Sequence, residues 1–417
     1  MNILEMGKRA KEAAFHLATF TTEQKNQALN NIADALEANR ESILEANKID
    51  IENAHANGTD PIWIRDRIDL ERRMDGIIRD VRHVVTLPDP VGTTWADNDL
   101  DVGIHVQKMR VPLGVLGVIY ESRPNVTVDI STLALKTGNA VILRGGSDVL
   151  NTNLEVVRVL TEALEASGFP TDTMQYIAST DRKYVGEMLK MHEYIDMLIP
   201  RGGAGLHNFC RENSTIPVII GGMGVVHIYV DESADLAKAI PLIENAKTQR
   251  PAVCNALDTL LVHENIASDF LPTITEYLAT LDVVFKAEDK ALAIVGERED
   301  VSPVAEGDFD TEWMGLTLNL KVVSDVDDAI DHIRQHTTFH SDAILTQDAE
   351  QAAYFLNRVD SAAVFWNAST RFNDGSALGL GAEVAISTQK LHARGPMALE
   401  ELTTYKWVVT GNYTARP

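Results

Sequence analysis

The chain has 417 residues, 45% of them hydrophobic and 24% charged, which is the make-up of a globular protein too long for one ordinary core. Sixty-one acidic residues against 37 basic ones give a formal net charge of −24, which argues against a nucleic-acid partner because such a partner needs a basic face. Two cysteines, Cys210 and Cys254, exclude a disulfide framework and a multi-cysteine zinc site. The longest apolar runs, such as Val111–Tyr120, fall far short of a bilayer span, and the N-terminus lacks the apolar core of a signal peptide, so a reducing cytoplasm is expected.

The first ninety residues read as helical. Thr21-Thr-Glu-Gln24 fits a capping box, in which a hydroxyl and an amide side chain satisfy free amide groups of the first turn. Leu29, Ile32, Leu36 and Ile43 follow at helical spacing, while Trp63 and Trp95 lie in irregular stretches.

From Val111 strands and helices alternate. Leu113–Tyr120 reads as a buried strand, followed by Glu121-Ser-Arg-Pro-Asn125 and an apolar helix, Val126–Lys136. Ala140–Arg144 is a second strand, running into Gly145-Gly-Ser-Asp148 and a helix to Leu164. Met174–Ala178 and Tyr194–Ile199 are further strands, the latter ending in Pro200-Arg-Gly-Gly-Ala-Gly205. This spacing predicts parallel, doubly wound sheets, whose ligands collect at the carboxyl ends of strands. The alternation resumes after Gly221-Gly-Met-Gly224 with a strand Val226–Val230, a helix Ser233–Ala246 and a strand Asp258–His263, and continues to Ser361–Trp366. Leu402–Val409 reads as an edge strand or oligomer arm. The expected division is 1–224 with 386–417 as a nucleotide-binding domain and oligomerisation arm, and 225–385 as a catalytic cysteine domain.

Cys254 lies in a loop between helix and strand, close in sequence to Lys247, Arg250 and the helix-breaking Pro251. Nearby cations favour a thiolate over a thiol, and the thiolate is the nucleophile. The blander reading is a small buried hydrophobe, which is the role assigned to Cys210. No G-x-G-x-x-G follows a strand, and there is no P-loop, H-E-x-x-H or G-x-S-x-G. The twelve histidines are scattered, so no metal is expected.

Glu121-Ser-Arg-Pro-Asn125, Thr137–Arg144, Val218-Ile-Ile-Gly-Gly222, Cys254 and Glu312-Trp-Met-Gly315 occur in the order and approximate spacing of the aldehyde dehydrogenase superfamily, and the chain resembles it over its whole length. Ile119–Gly146, Ile195–Leu206, Asn245–Asn255 and Ser387–Pro396 are similar to the branch that reduces an acyl phosphate. The resemblance implies an aldehyde dehydrogenase-like α/β fold of two doubly wound domains. It implies NADPH-dependent reduction of L-glutamyl 5-phosphate to L-glutamate 5-semialdehyde and phosphate, a step towards proline. Cys254 resembles the nucleophile that forms a thioester, and Asn125 the amide that helps bind the oxyanion. Glu312 resembles the carboxylate that holds a cofactor ribose, with Gly202 and Gly203 at a cofactor-facing strand end. Arg144 stands where relatives have a lysine near the adenosine ribose, and Ser147 where NAD-specific relatives have a glutamate, which suits a 2′-phosphate; Asp148 next to it weighs the other way. Where hydrolytic relatives carry a water-activating glutamate this chain has Ile219, and loss of a general base slows deacylation by water roughly 10²–10⁴-fold.

The substrate is anionic, and the cations expected to bind it are Arg250, Arg123, Lys247 and the tail set Lys390, His392 and Arg394. Glu121 is a weaker candidate for the substrate amino group. A homo-oligomer is expected, with the glutamate 5-kinase that makes the acyl phosphate as a candidate partner. Two rivals stand beside this reading: a CoA-acylating aldehyde dehydrogenase, which would leave the basic tail without a purpose, and a non-catalytic relative, against which Cys254, Asn125 and Glu312 together speak.

Overall fold

The computed structural model describes residues 2–416. The chain divides into two compact units. One runs to Ile220 and takes back Leu380–Ala385 and the described chain from Met397; the other comprises Gly221–Gly379 and Ile386–Pro396. The break therefore falls just before the glycine run rather than after it. The stretch carrying Lys390, His392 and Arg394 belongs to the second unit, not to the first as expected.

The first unit opens on helices Ile3–Leu17, Thr22–Ala38, Arg40–Ala56 and Met74–Thr86. The capping box forms: the Gln24 amide N–H donates to Thr21 Oγ1 at 3.3 Å, and the Thr21 N–H to Gln24 Oε1 at 2.9 Å. Leu29, Ile32, Leu36 and Ile43 are buried, as their spacing predicts. Four parallel strands follow in the order Met174–Tyr176, Ala140–Arg144, Val115–Tyr120, Met197–Arg201. The last starts later than the expected Tyr194, because Met191 accepts from the N–H groups of Tyr194 and Ile195 and closes a turn there.

A three-stranded antiparallel sheet belongs to the same unit. Ile104–Pro112 pairs on one side with Thr94–Leu100 and on the other with Thr403–Gly411, the expected tail strand. The hairpin was not expected, because every residue of Thr94–Leu100 is exposed and the stretch has no apolar alternation to reveal it.

The second unit holds seven parallel strands in the order Val301–Pro303, Val284–Ala287, Thr317–Val323, Thr259–His263, His227–Val230, Ser341–Leu345, Ala363–Trp366. Alternate residues face opposite ways. Ile228, Val230, Leu260 and Val262 pack with Ile243, Phe270 and Ile274 of helices Leu236–Thr248 and Glu264–Ala279. Tyr229 and Leu261 pack with Ile330 and Phe355 of helices Val326–His336 and Ala349–Arg358. Both faces are thus covered by helices, which explains strands that read as continuous apolar runs.

Phe270 is buried in the larger of these clusters. Phe270→Ala is expected to destabilise the protein by about 3–5 kcal/mol, read as a lower denaturation midpoint with an unchanged slope.

Candidate active site

Helix Leu236–Thr248 stops two residues before Arg250-Pro251, and the chain loops to strand Thr259–His263. Cys254 sits in this loop, half-buried. Cys210, by contrast, is wholly buried, and burial pushes its thiol up to about 11. The loop is held from two sides. A Cβ on Gly224 would overlap the carbonyl oxygen of Cys254, so only glycine fits there. Thr370 Oγ1 donates to the Asn255 carbonyl at 2.9 Å, and Asn255 Nδ2 donates to the Asn373 carbonyl at 3.1 Å.

Lys247 is not available as a substrate cation. It is fully buried, and its ammonium donates to the Leu257 carbonyl at 2.7 Å and lies 3.9 Å from Asp258. Burial pushes the lysine down and the aspartate up, and the pair braces the loop from beneath. Its position before Cys254 in the helix suggested otherwise, but the last turn of that helix turns Lys247 inward.

Arg250 is exposed and makes no ion pair among the described residues. A second guanidinium, not expected from the sequence, comes from the short turn Thr370–Phe372. Arg371 Nε donates to Gln249 Oε1 at 3.2 Å. Burial and the neighbouring Arg250 lower its pKa, and Asp374 and Cys254, both within electrostatic range, act the other way. Its signal in the sequence was a cation in the loop that follows strand Ala363–Trp366, at the carboxyl end of a parallel strand.

Glu312 joins the same neighbourhood, since its Oε1 accepts the Gly224 N–H at 3.0 Å. Burial raises its carboxyl to about 7, with Asp258 adding to the effect. Asp258 in turn accepts the N–H groups of Trp313 and Val226 at 3.1 and 3.3 Å, which fixes the Glu312 loop against the strand.

The tail cations belong to this unit too. Lys390 and Arg394 both pair with Asp360, at 2.5 and 2.7 Å, and hold that carboxyl below its usual range. His392 is exposed.

In the first unit the expected residues gather at strand ends. Asn125 opens helix Asn125–Lys136; its Nδ2 donates to Asp129 at 2.9 Å and its Oδ1 accepts from Arg73 at 3.3 Å. Burial raises Asp129 to about 6. Arg123 is half-buried two residues earlier. Glu121 is exposed, and its carboxylate accepts the Gly203 N–H at 3.0 Å, at the start of helix Ala204–Asn213. Arg144 closes its strand with its two terminal nitrogens on the carbonyls of Gly145 and Thr180, at 2.9 and 3.2 Å, while its Nε is buried without a partner. Ser147 is exposed, and the adjacent Asp148 is engaged by the Ser122 hydroxyl. Cβ atoms at Gly145, Gly146 and Gly202 would strike Asn153, Asp148 and Glu121. Ile219 is buried, its N–H on the Leu198 carbonyl at 2.9 Å. Among the described residues no group of three or more His, Cys, Asp or Glu side chains is placed to hold a metal, and no helix is long and apolar enough to cross a membrane.

Comparison with known proteins adds to this geometry. The aldehyde dehydrogenase family matches residues 2–298. Gamma-glutamyl phosphate reductases from Vibrio vulnificus and Photobacterium profundum are each 56% identical, over 100% of this chain and 100% of theirs. The crystal structure of gamma-glutamyl phosphate reductase from Thermotoga maritima is 47% identical, with a TM-score of 0.98 and full coverage of both chains.

A carboxyl raised to about 7 costs the fold stability once it ionises, so its contribution is favourable at low pH and is lost as pH rises towards 7. Glu312→Gln is therefore expected to raise the melting temperature by about 2–4 °C at pH 8 and to change it little at pH 5, as followed by calorimetry.

Proposed function

We propose a catalytic assignment for a chain that belongs to the aldehyde dehydrogenase family, and within it to the gamma-glutamyl phosphate reductases. Its reaction is the reduction of L-glutamyl 5-phosphate to L-glutamate 5-semialdehyde with release of phosphate, a step of proline biosynthesis. The observation that carries the assignment is the half-buried Cys254, held in a loop by Gly224 with the Arg371 guanidinium within electrostatic range.

In this reading the Cys254 thiolate attacks the acyl carbon, the carbon–oxygen bond to phosphate breaks with its electron pair going to phosphate, and a thioester remains. A nicotinamide dinucleotide, when bound, supplies the hydride that reduces that carbonyl. Asn125 is the donor to the developing oxyanion, and a preorganised donor of this kind lowers a barrier by about 2.7–4 kcal/mol. Arg73 polarises that amide from its oxygen side while Asp129 fixes one of its hydrogens. Ile219 offers no base to activate water, so the thioester survives until reduction. Arg250 and Arg123 meet the substrate's anions, and His392 and Arg394 line its approach.

The strand ends of the first unit fit a dinucleotide. Glycines close the turns after the strands at Arg144 and Arg201, and the orphaned Nε of Arg144 marks an unfilled donor. Family membership supports NAD or NADP. We assign NADPH, with Arg144 and Ser147 towards the 2′-phosphate, Gly202 and Gly203 at the strand end, and Glu312 on a ribose. Asp148, which weighs the other way, accepts a hydrogen bond from the Ser122 hydroxyl.

The antiparallel sheet supports a homo-oligomer. Its edge strand Thr403–Gly411 presents Tyr405, Trp407 and Val409 to solvent, with Lys108 4.1 and 4.9 Å from the two rings. The glutamate 5-kinase that makes the acyl phosphate is its candidate partner, since such an anhydride hydrolyses readily. The CoA-acylating alternative is not favoured, because the full-length relatives carry another activity in their names.

Cys254→Ala is expected to fold and to show no phosphate-dependent NADP reduction with glutamate 5-semialdehyde. Retained activity rejects the nucleophile. With the wild-type enzyme the same assay is expected to need phosphate or arsenate; full-rate turnover without either rejects the role given to Ile219. Arg144→Ala is expected to raise KM for NADP about ten- to hundredfold while leaving KM for NAD nearly unchanged, and an equal effect on both removes the 2′-phosphate assignment.

A further inference from the structure

We infer that Arg371, acting with Arg250, is the phosphate hook of this site: the guanidinium that holds the phosphoryl group of the acyl phosphate as Cys254 attacks, and that seats inorganic phosphate in the reverse direction. This rests on the thioester reading above.

Three observations converge on it. The first is placement. The turn that carries Arg371 is bonded to the residue next to the nucleophile, through Thr370 Oγ1 to the Asn255 carbonyl and Asn255 Nδ2 to the Asn373 carbonyl. Arg371 is thereby fixed to the thiol loop although it is distant from it in sequence. The second is orientation. Nε is held by Gln249 on the other flank of Cys254, at 3.2 Å. The two terminal nitrogens make no hydrogen bond among the described residues and are not sealed off from solvent. A guanidinium anchored by Nε presents those two nitrogens as a fork, which matches two oxygens of a phosphate.

The third is charge. The chain carries 61 acids against 37 bases, yet Arg250 and Arg371 stand close enough to repel one another; Asp374 offsets part of that charge from a distance, but neither arginine forms an ion pair among the described residues. Two like charges left together in so acidic a protein destabilise the empty site and favour an anion between them. The tail cations differ in this respect, since Lys390 and Arg394 share Asp360.

Substrate chemistry decides which anion. In glutamyl 5-phosphate the phosphoryl group is one bridging oxygen from the carbon that the sulfur attacks, whereas the α-carboxylate is at the opposite end of the molecule. A cation within electrostatic range of the sulfur therefore meets the phosphate. In the reductive direction the guanidinium takes up the charge that builds on the departing phosphate. In the oxidative direction a phosphate oxygen attacks the thioester carbon, the carbon–sulfur bond breaks with its electron pair returning to Cys254, and the proton from phosphate passes to solvent.

The test uses the full-length enzyme in the oxidative direction, with inorganic phosphate as the varied substrate and Arg371→Gln and Arg371→Lys as variants. KM for phosphate is expected to rise about ten- to hundredfold in Arg371→Gln and to recover in part in Arg371→Lys, with KM for the semialdehyde shifted less than about twofold. Phosphate is also expected to slow alkylation of Cys254 by iodoacetamide in the wild type and not in Arg371→Gln, a readout independent of turnover. An unchanged KM for phosphate, or a rise in KM for the semialdehyde instead, overturns the assignment. Should Arg371→Gln fail to fold, KM for phosphate in Arg371→Lys decides alone, since the point charge loses the fork: a rise supports the hook and no change rejects it. Absence of a phosphate-free burst of reduced cofactor in the wild type rejects the thioester reading itself, and so separates the two failures.

Discussion

The site depends on one backbone contact, that of Gly224 with the carbonyl of Cys254. At this approach any side chain beyond hydrogen would overlap the carbonyl, so the loop and the glycine segment fix one another. The same glycine donates its N–H to Glu312. A single residue without a side chain thus sets the position of the thiol and of the carboxyl proposed for the cofactor ribose. Gly221 does similar work against the Ile386 carbonyl, which a Cβ at that position would also overlap.

Beneath that contact lies a buried polar layer. Lys247, Asp258 and the N–H groups of Val226 and Trp313 satisfy one another where water is scarce. Buried charges are costly unless paired, and removing one partner of such a pair is more destabilising than the pair itself is stabilising. Here the arrangement brings together the loop after helix Leu236–Thr248 and the loop before strand Thr317–Val323. Glu312, at the edge of this layer, carries the electrostatic consequence as a carboxyl raised towards neutrality.

The first unit is built differently, with glycine turns and fixed amides at its strand ends rather than a reactive group. Asn125 is gripped at both ends of its amide, by Arg73 and by Asp129, so that its orientation is set before any substrate arrives. Glu121 caps the helix that starts after Gly203 and supplies the negative charge its N-terminus favours.

Much of this was legible in the residues. Apolar runs such as Val115–Tyr120 and Thr259–His263 announced parallel strands, because a strand covered on both faces has no polar side to show. The capping box at Thr21 and the proline after Arg250 marked helix ends through local hydrogen bonding and sterics, which need no distant partner. Cys254 stood out as the candidate nucleophile by its neighbours and by the absence of any competing motif. What the residues alone did not disclose depended on contacts between distant segments. Lys247 and Arg250 are three positions apart, yet one faces the core and the other solvent, a difference set by the direction of the last helical turn. Arg371 reaches the thiol loop only because strand Ala363–Trp366 runs parallel to its neighbour and delivers its following turn to the same end of the sheet. The sequence by itself determined most of the helices and strands and singled out the Cys254 loop, since both follow from local periodicity and chemistry. The tertiary structure decided which cations accompany that thiol, because a side chain's neighbours are fixed by how sheets and turns close in space.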